Sequence, residues 1–149
     1  MKVALFWHRR DLRLDDNTGL YHALQGDLPV VPVFIFDKNI LDPLEDKADR
    51  RLNFIHHNLS QLQEQLLEQG STFDARYGYP EEVWEALLSD YEVQAVYTNH
   101  DYEPYAKERD EAVEQMLQER GIAFHTFKDQ CILEKDEVQK KQGGPYTVY

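Results

Sequence analysis

The feature that most constrains the fold is an alternation of short apolar runs with helix-like segments along the chain. The clearest helix pattern covers residues 48–69, where leucine and isoleucine recur at alternating spacings of three and four. That spacing puts them on one stripe of a helix of about six turns. The stripe comprises Leu52, Ile55, Leu59, Leu62 and Leu66. Because an apolar stripe is buried against another layer, we expect this one to pack on a sheet.

Five apolar runs have the length of strands, and helical patterns separate them. The strand-like runs are residues 3–7, 30–36, 73–77, 95–97 and 123–127. The helical patterns are residues 17–26, 48–69, 80–88 and 106–120. Asn17 and Pro80 stand where helices begin, and Gly26, Gly70 and Gly121 stand where helices end.

Strands that alternate with helices predict a parallel sheet with right-handed crossovers. We therefore predict an α/β fold with a doubly wound, Rossmann-like, five-stranded parallel sheet in the order 3-2-1-4-5. Pro32 lies inside the second run. A proline there disfavours a central strand position or marks a bulge, because it has no N–H to donate.

Composition and charge narrow the functional classes. A chain of 149 residues, 42% of them apolar, is long enough for one domain with a core. Its formal net charge of -12 opposes general adhesion to nucleic acid or to anionic membranes. Cys131 is the single cysteine, which excludes an internal disulfide and a cysteine-rich metal site. Without a signal-like or membrane-length apolar run, we expect a soluble, cytoplasmic monomer.

Two unusual polar stretches follow the first and fourth predicted strands. Residues 6–17 read FWHRRDLRLDDN and contain the densest cationic cluster, and residues 99–105 read NHDYEPY. In a sheet of the predicted order, ligands bind beyond the carboxyl ends of the strands where the winding reverses. The two stretches are thus expected to flank one crevice. Residue chemistry alone leaves open whether Arg10 and Arg13 bind a ligand or form ion pairs that fix the loops.

Several common catalytic and cofactor motifs are absent from the sequence. It contains no glycine-rich dinucleotide fingerprint, no P-loop, no G-x-S-x-G elbow and no H-E-x-x-H. We accordingly predict no catalytic residues and no metal ligands. The residues alone predict an α/β domain that binds a ligand in a cleft.

Five stretches, in order, carry a resemblance to a known family. FWHRRDLRLDDN closely resembles the N-terminal signature of the DNA photolyase and cryptochrome family, and especially of bacterial deoxyribodipyrimidine photolyases. The other four stretches are ADRRLNFI at 48–55, NHDYEPYAKERD at 99–110, KDQCI at 128–132 and GGPYTVY at 143–149. Together they span almost the whole chain.

The resemblance implies a domain organisation and an activity. Residues 1–133 are expected to form the photolyase-type α/β domain that holds an antenna chromophore, and residues 134–149 to begin an interdomain linker. A larger helical domain, absent from this chain, is expected to hold FAD and to contact damaged DNA. Such a parent splits cyclobutane pyrimidine dimers by light-driven electron transfer from reduced FAD, while the chain alone is expected to be inactive. The alternatives are a cryptochrome photoreceptor and a stand-alone nucleotide-binding module.

The resemblance also implies which residues contact the antenna chromophore. They are His8, Arg9, Ile35, Phe36, Asp37, Lys47, Arg51, Leu52, Asp101 and Glu103. At the positions of Ile35 and Lys47, the deazaflavin-binding members have residues of a different type. Folate-binding members carry an Asn-Glu pair where this sequence has Tyr105 and Ala106. A deazaflavin or flavin is therefore favoured over methenyltetrahydrofolate, and an isolated domain without a bound chromophore is the alternative.

Overall fold

The computed structural model describes residues 1–44, 49–131 and 137. Strands and helices alternate along the described chain, as the sequence pattern predicts. In chain order they are β1 (Lys2–His8), α1 (Thr18–Leu24), β2 (Val30–Asp37), α2 (Lys38–Leu41), α3 (Arg50–Glu68), β3 (Asp74–Gly78), α4 (Pro80–Asp90), β4 (Glu92–Asn99), α5 (Pro104–Glu119) and β5 (Ala123–Phe127).

The five strands form one parallel sheet in the order β3-β2-β1-β4-β5. This confirms the predicted fold class and strand order. The long helix begins at Arg50 rather than at 48, because the Asp49 side chain caps it by accepting from the Arg51 amide at 2.8 Å. The one-turn helix α2 was not predicted; Asp37 caps it directly after β2. The predicted linker lies, apart from Glu137, outside the described residues.

Pro32 is accommodated in β2 without a bulge in that strand. It pairs with Phe6 of β1, but the ladder between β2 and β3 begins only at Val33. At Pro32, β2 therefore has a neighbour on one side alone, which is a setting where a strand tolerates the missing amide donor. The one irregularity in the β1 ladders falls between Val3 and Ala4, against β4.

Each face of the sheet carries a layer of helices. On one face, α4 and α5 pack against β1 and β4 through a large apolar cluster in which Trp7 and Trp84 meet edge to face, with ring centroids 5.2 Å apart. On the other face, α3 packs against β2 through Phe34, Leu59 and Leu62. Within the described residues, no helix is both long and apolar enough to cross a membrane.

The leucine stripe of α3 divides into two parts. Leu59, Leu62 and Leu66 are buried, as predicted for a helix packed on a sheet. Leu52 and Ile55, in the first two turns, are only half-buried. The first part of α3 thus extends past the covered sheet face, and its two apolar side chains border an open space.

Candidate functional site

That space is a cavity of about 690 Å³ at the carboxyl ends of β1, β2 and β4. Its volume lies within the ~300–1,000 Å³ typical of sites for small molecules and cofactors. The walls are largely apolar and include Trp7, Phe34, Ile35, Phe36, Leu52 and Ile55. The charged side chains around them include Arg10, Arg51, Asp101 and Glu103. This is the predicted crevice, which also extends over the end of β2.

Nearly all the predicted chromophore-binding residues lie around this one cavity. The lining includes His8, Arg9, Ile35, Phe36, Asp37, Arg51, Leu52, Asp101 and Glu103. Lys47 lies outside the described residues. The structure places these side chains around one cavity. That they contact a chromophore stays a prediction.

Two buried guanidinium groups form the inner wall together with Trp7. The Arg9 and Arg109 side chains are 7% and 9% exposed, and their Cζ atoms lie 5.0 and 4.8 Å from the Trp7 ring centroid. Both groups form ion pairs with Asp110. Because a buried charge is costly unless it is paired, the shared carboxylate stabilises this wall.

Asp37 connects the two helices on either side of the cavity. Its carboxylate accepts from the Asn39 amide of α2 at 2.9 Å and from the Tyr105 hydroxyl of α5 at 2.6 Å. Burial, and then the hydrogen bond to Asp37, raise the pKa of Tyr105 to about 12. The Tyr105 hydroxyl is therefore protonated at neutral pH, and its proton is already donated within the protein.

The loops after β1 and β4 meet at the rim of the cavity. Arg10 lies 3.4 Å from Asp101 and 2.5 Å from Glu103, and the Glu103 hydrogen bond raises the pKa of the guanidinium. Arg51 at the start of α3 forms a comparable pair with Asp49 at 2.6 Å. Arg10 and Arg13 thus both form ion pairs. Arg10 pairs with Asp101 and Glu103, and Arg13 pairs with Asp129.

His8 lies buried where β1 ends. Its Nδ1 is 3.0 Å from the Asp11 carbonyl oxygen, and because a carbonyl only accepts, Nδ1 carries the proton. The ring packs edge to face on Phe6 and tilted on Phe73. Burial lowers the pKa of His8, partly offset by Asp11, so the imidazole is neutral at physiological pH.

The buried histidine predicts a pH dependence of stability. Its depressed pKa leaves the full contribution to the free energy of unfolding in place above about pH 6.5, the unfolded value. Below that pH the unfolded chain binds a proton that the folded His8 resists, so stability falls by up to ~1.4 kcal/mol per pH unit. Urea unfolding between about pH 7.5 and 5.5 measures this slope. His8→Asn should reduce this pH dependence of stability. The control His56→Asn, at an exposed position of α3, should leave it unchanged. Equal slopes for the wild type and His8→Asn would contradict a buried, neutral His8.

The N-terminus of α1 is closed by the protein itself. Its first three amides donate to the side chains of Asp129, Asn99 and Asn17, over 3.0, 2.9 and 3.1 Å. A Cβ at Gly19 would lie 2.7 Å from Asn99 Oδ1, so the fit there requires glycine. In dinucleotide-binding sheets a phosphate occupies the corresponding helix terminus. Here the amides that would hold it are engaged.

Metal-binding geometry is absent from the described parts of the chain. No group of three or more histidine, cysteine, aspartate or glutamate side chains among those residues is placed to hold a metal ion. His100, which follows β4, contacts Thr126 Oγ1 at 3.0 Å instead.

Twelve lining residues were not among the predicted chromophore contacts. They include Asn39 and Ile40 of α2, and Tyr105 and Arg109 of α5. The sequence contains an indication of each pair. Asp37 is a typical N-cap residue, which favours a helical turn directly after it. Tyr105 and Arg109 are four residues apart and therefore lie on one face of a helix.

Comparison with known proteins assigns the chain to a family. Residues 4–149 match the DNA photolyase family. The chain is 36% identical to the deoxyribodipyrimidine photo-lyase of a Synechococcus strain, covering 97% of this chain and 30% of that protein, and 27% identical to cryptochrome-1 of Sylvia borin. It spans 30% of the length of that photolyase and 23% of the length of that cryptochrome.

Solved structures agree with this assignment. A class III photolyase from Agrobacterium tumefaciens has a TM-score of 0.85 at 31% identity, over 99% of this chain and 30% of that one. An archaeal photolyase from Sulfolobus tokodaii, described with two FAD molecules and a novel light-harvesting cofactor, has a TM-score of 0.83 at 34% identity, over 94% of this chain and 32% of that one. The chain therefore belongs to the DNA photolyase family.

Proposed function

We propose that this chain is the antenna domain of a DNA photolyase, and that the cavity at the carboxyl edge of its sheet holds the light-harvesting chromophore. The cavity is the observation that carries the proposal. It lies where the winding of the sheet reverses, and it combines aromatic walls with a charged rim. The walls exclude water from a bound ring system, and the rim orients the ring's polar edge.

The repair reaction belongs, in this proposal, to the whole protein. Reduced FAD in a helical domain of the same chain would transfer an electron to a cyclobutane pyrimidine dimer, and the chromophore would pass absorbed light energy to FAD. This domain would act as a monomeric unit in the cytoplasm without contacting DNA. Its net charge of -12 supports a DNA-binding face outside it.

A flavin or deazaflavin suits this cavity better than a folate. At the two positions where folate-binding members carry an Asn-Glu pair, Tyr105 has its hydroxyl bonded to Asp37, and Ala106 is a buried methyl group. Neither side chain supplies an amide or a carboxylate to a pterin. Charge-assisted hydrogen bonds from the rim to a flavin-type edge would each contribute about 1.5–3 kcal/mol.

The two alternatives have less support. In a stand-alone nucleotide-binding module the start of α1 would be open to phosphate, whereas Asp129, Asn99 and Asn17 occupy its amides. A cryptochrome shares the fold, but the similarity to photolyases is higher, at 36% against 27%.

Filling the cavity should abolish chromophore retention. Leu52→Trp places an indole at a half-buried lining position, so protein purified from a deazaflavin-producing host should lose most of the bound-pigment absorption. Leu67→Trp is the matched control: it is 59% exposed on the same helix, about 22 Å further along the axis. Wild-type pigment absorption in Leu52→Trp would show that this cavity is not the chromophore site. Stoichiometric methenyltetrahydrofolate in the wild type would overturn the choice of chromophore.

A further inference from the structure

We propose that the cavity selects an uncharged chromophore of the riboflavin type and discriminates against the same ring system carrying a phosphate. The inference rests on the proposed function and adds the chemical class of the tail on the ring. It follows from how the charges around the cavity are distributed and paired.

The rim is negative although it contains two arginines. Arg10 is held by two carboxylates, Asp101 and Glu103, which leaves that group with a charge of -1. Arg51 is matched by Asp49, which leaves that pair neutral. Neither cation at the rim therefore faces the cavity with an unopposed charge.

The inner wall is neutral. Arg9 and Arg109 share Asp110, and Arg109 also lies 3.9 Å from Asp37. Two guanidinium groups thus meet two carboxylates. Among the described residues, the charged groups that line the cavity or pair with its lining are four arginines and five carboxylates, which sum to -1.

A phosphate would enter this arrangement at a disadvantage. It carries roughly -1.5 to -2 charges at neutral pH, and at Arg10 or Arg51 it would come close to a carboxylate that already pairs with the same guanidinium. The net charge of -12 adds repulsion at longer range. A neutral ring with a hydroxylated chain gains the aromatic walls without this repulsion. Glu103, 62% exposed at the rim, is the residue that turns the Arg10 site negative.

Riboflavin and FMN form a matched pair of probes, because they differ only by the phosphate. Titration of the 149-residue chain, followed by quenching of flavin fluorescence, should give riboflavin an affinity at least ~10-fold higher than FMN. Raising the ionic strength from about 20 to 300 mM should strengthen FMN binding, because salt screens repulsion, and leave riboflavin binding unchanged. A phosphate held by arginines would show the opposite dependence.

The Glu103→Gln variant separates this inference from the proposal on which it rests. Removing that carboxylate should reduce the preference for riboflavin to about 3-fold or less. Glu111→Gln, at an exposed position of α5 that does not line the cavity, should keep the preference. FMN binding as tightly as riboflavin to the wild type, or FMN binding that weakens with salt, would overturn the inference and leave the flavin site standing. Binding of neither flavin would overturn the proposed flavin-type chromophore and this inference with it.

Discussion

Ultraviolet-irradiated DNA mixed with the 149-residue chain, FAD and blue light is expected to keep all its thymine dimers. The chain's charge of -12 opposes DNA binding. Its cavity of about 690 Å³ has the volume of a site for one small ligand, not for FAD together with a flipped-out lesion. The chain aligns with only 30% of a photolyase that would serve as the positive control.

The measurement is the number of dimers that remain in the DNA after illumination, counted by chromatography. The full-length Synechococcus photolyase should remove them under the same light, and a dark sample gives the background. Dimer loss above that background with the 149-residue chain as the only protein would show that this domain carries a repair site of its own.

The sheet was predictable because its signals are local. Continuous apolar runs separated by amphipathic helices specify a parallel sheet, and the preferred handedness of crossovers restricts the strand order. Boundaries moved by up to three residues, at the start of β4, and at the start of α3 the Asp49 side chain decides the boundary. The location of the cleft followed from the strand order, without knowledge of any single contact.

The inner wall of the cavity was not predictable, because it depends on contacts between residues far apart in the sequence. Tyr105 reaches Asp37 across 68 positions, and Arg9 reaches Asp110 across 101. The spacing of apolar residues along the sequence does not indicate pairs of residues this far apart. Helix α2 was missed for a different reason: four residues are too few for a helical pattern to be seen.

The KDQCI stretch at residues 128–132 helps to fix the loop that carries the cationic cluster. Asp129, in the stretch that begins at residue 128, accepts from Arg13 at 2.6 Å and from the Thr18 amide at 3.0 Å. It therefore ties the end of β5 to the loop after β1 and caps α1. Two stretches more than a hundred residues apart thus serve one purpose, which is to hold the β1 loop in place beside the cavity.

Leu59→Ala is expected to destabilise the domain by about 2–5 kcal/mol. Leu59 is 7% exposed and packs with Phe34 and Leu62 between α3 and the sheet, so truncation leaves a cavity where the helix is anchored. Because a domain of this size is stable by only ~5–15 kcal/mol, the loss is a large fraction of the total. The midpoint of urea unfolding, followed by circular dichroism, measures it.

The matched control is Leu67→Ala on the same helix, where the leucine is 59% exposed and truncation should change stability by no more than ~0.5 kcal/mol. The difference between the two variants isolates burial from helix propensity, since both replace leucine by alanine within α3. A Leu59→Ala midpoint equal to that of Leu67→Ala would mean that α3 does not rest on the sheet in solution. In that case Leu52 and Ile55 would not form a wall of the cavity, and the wild-type domain itself should fail to retain the chromophore.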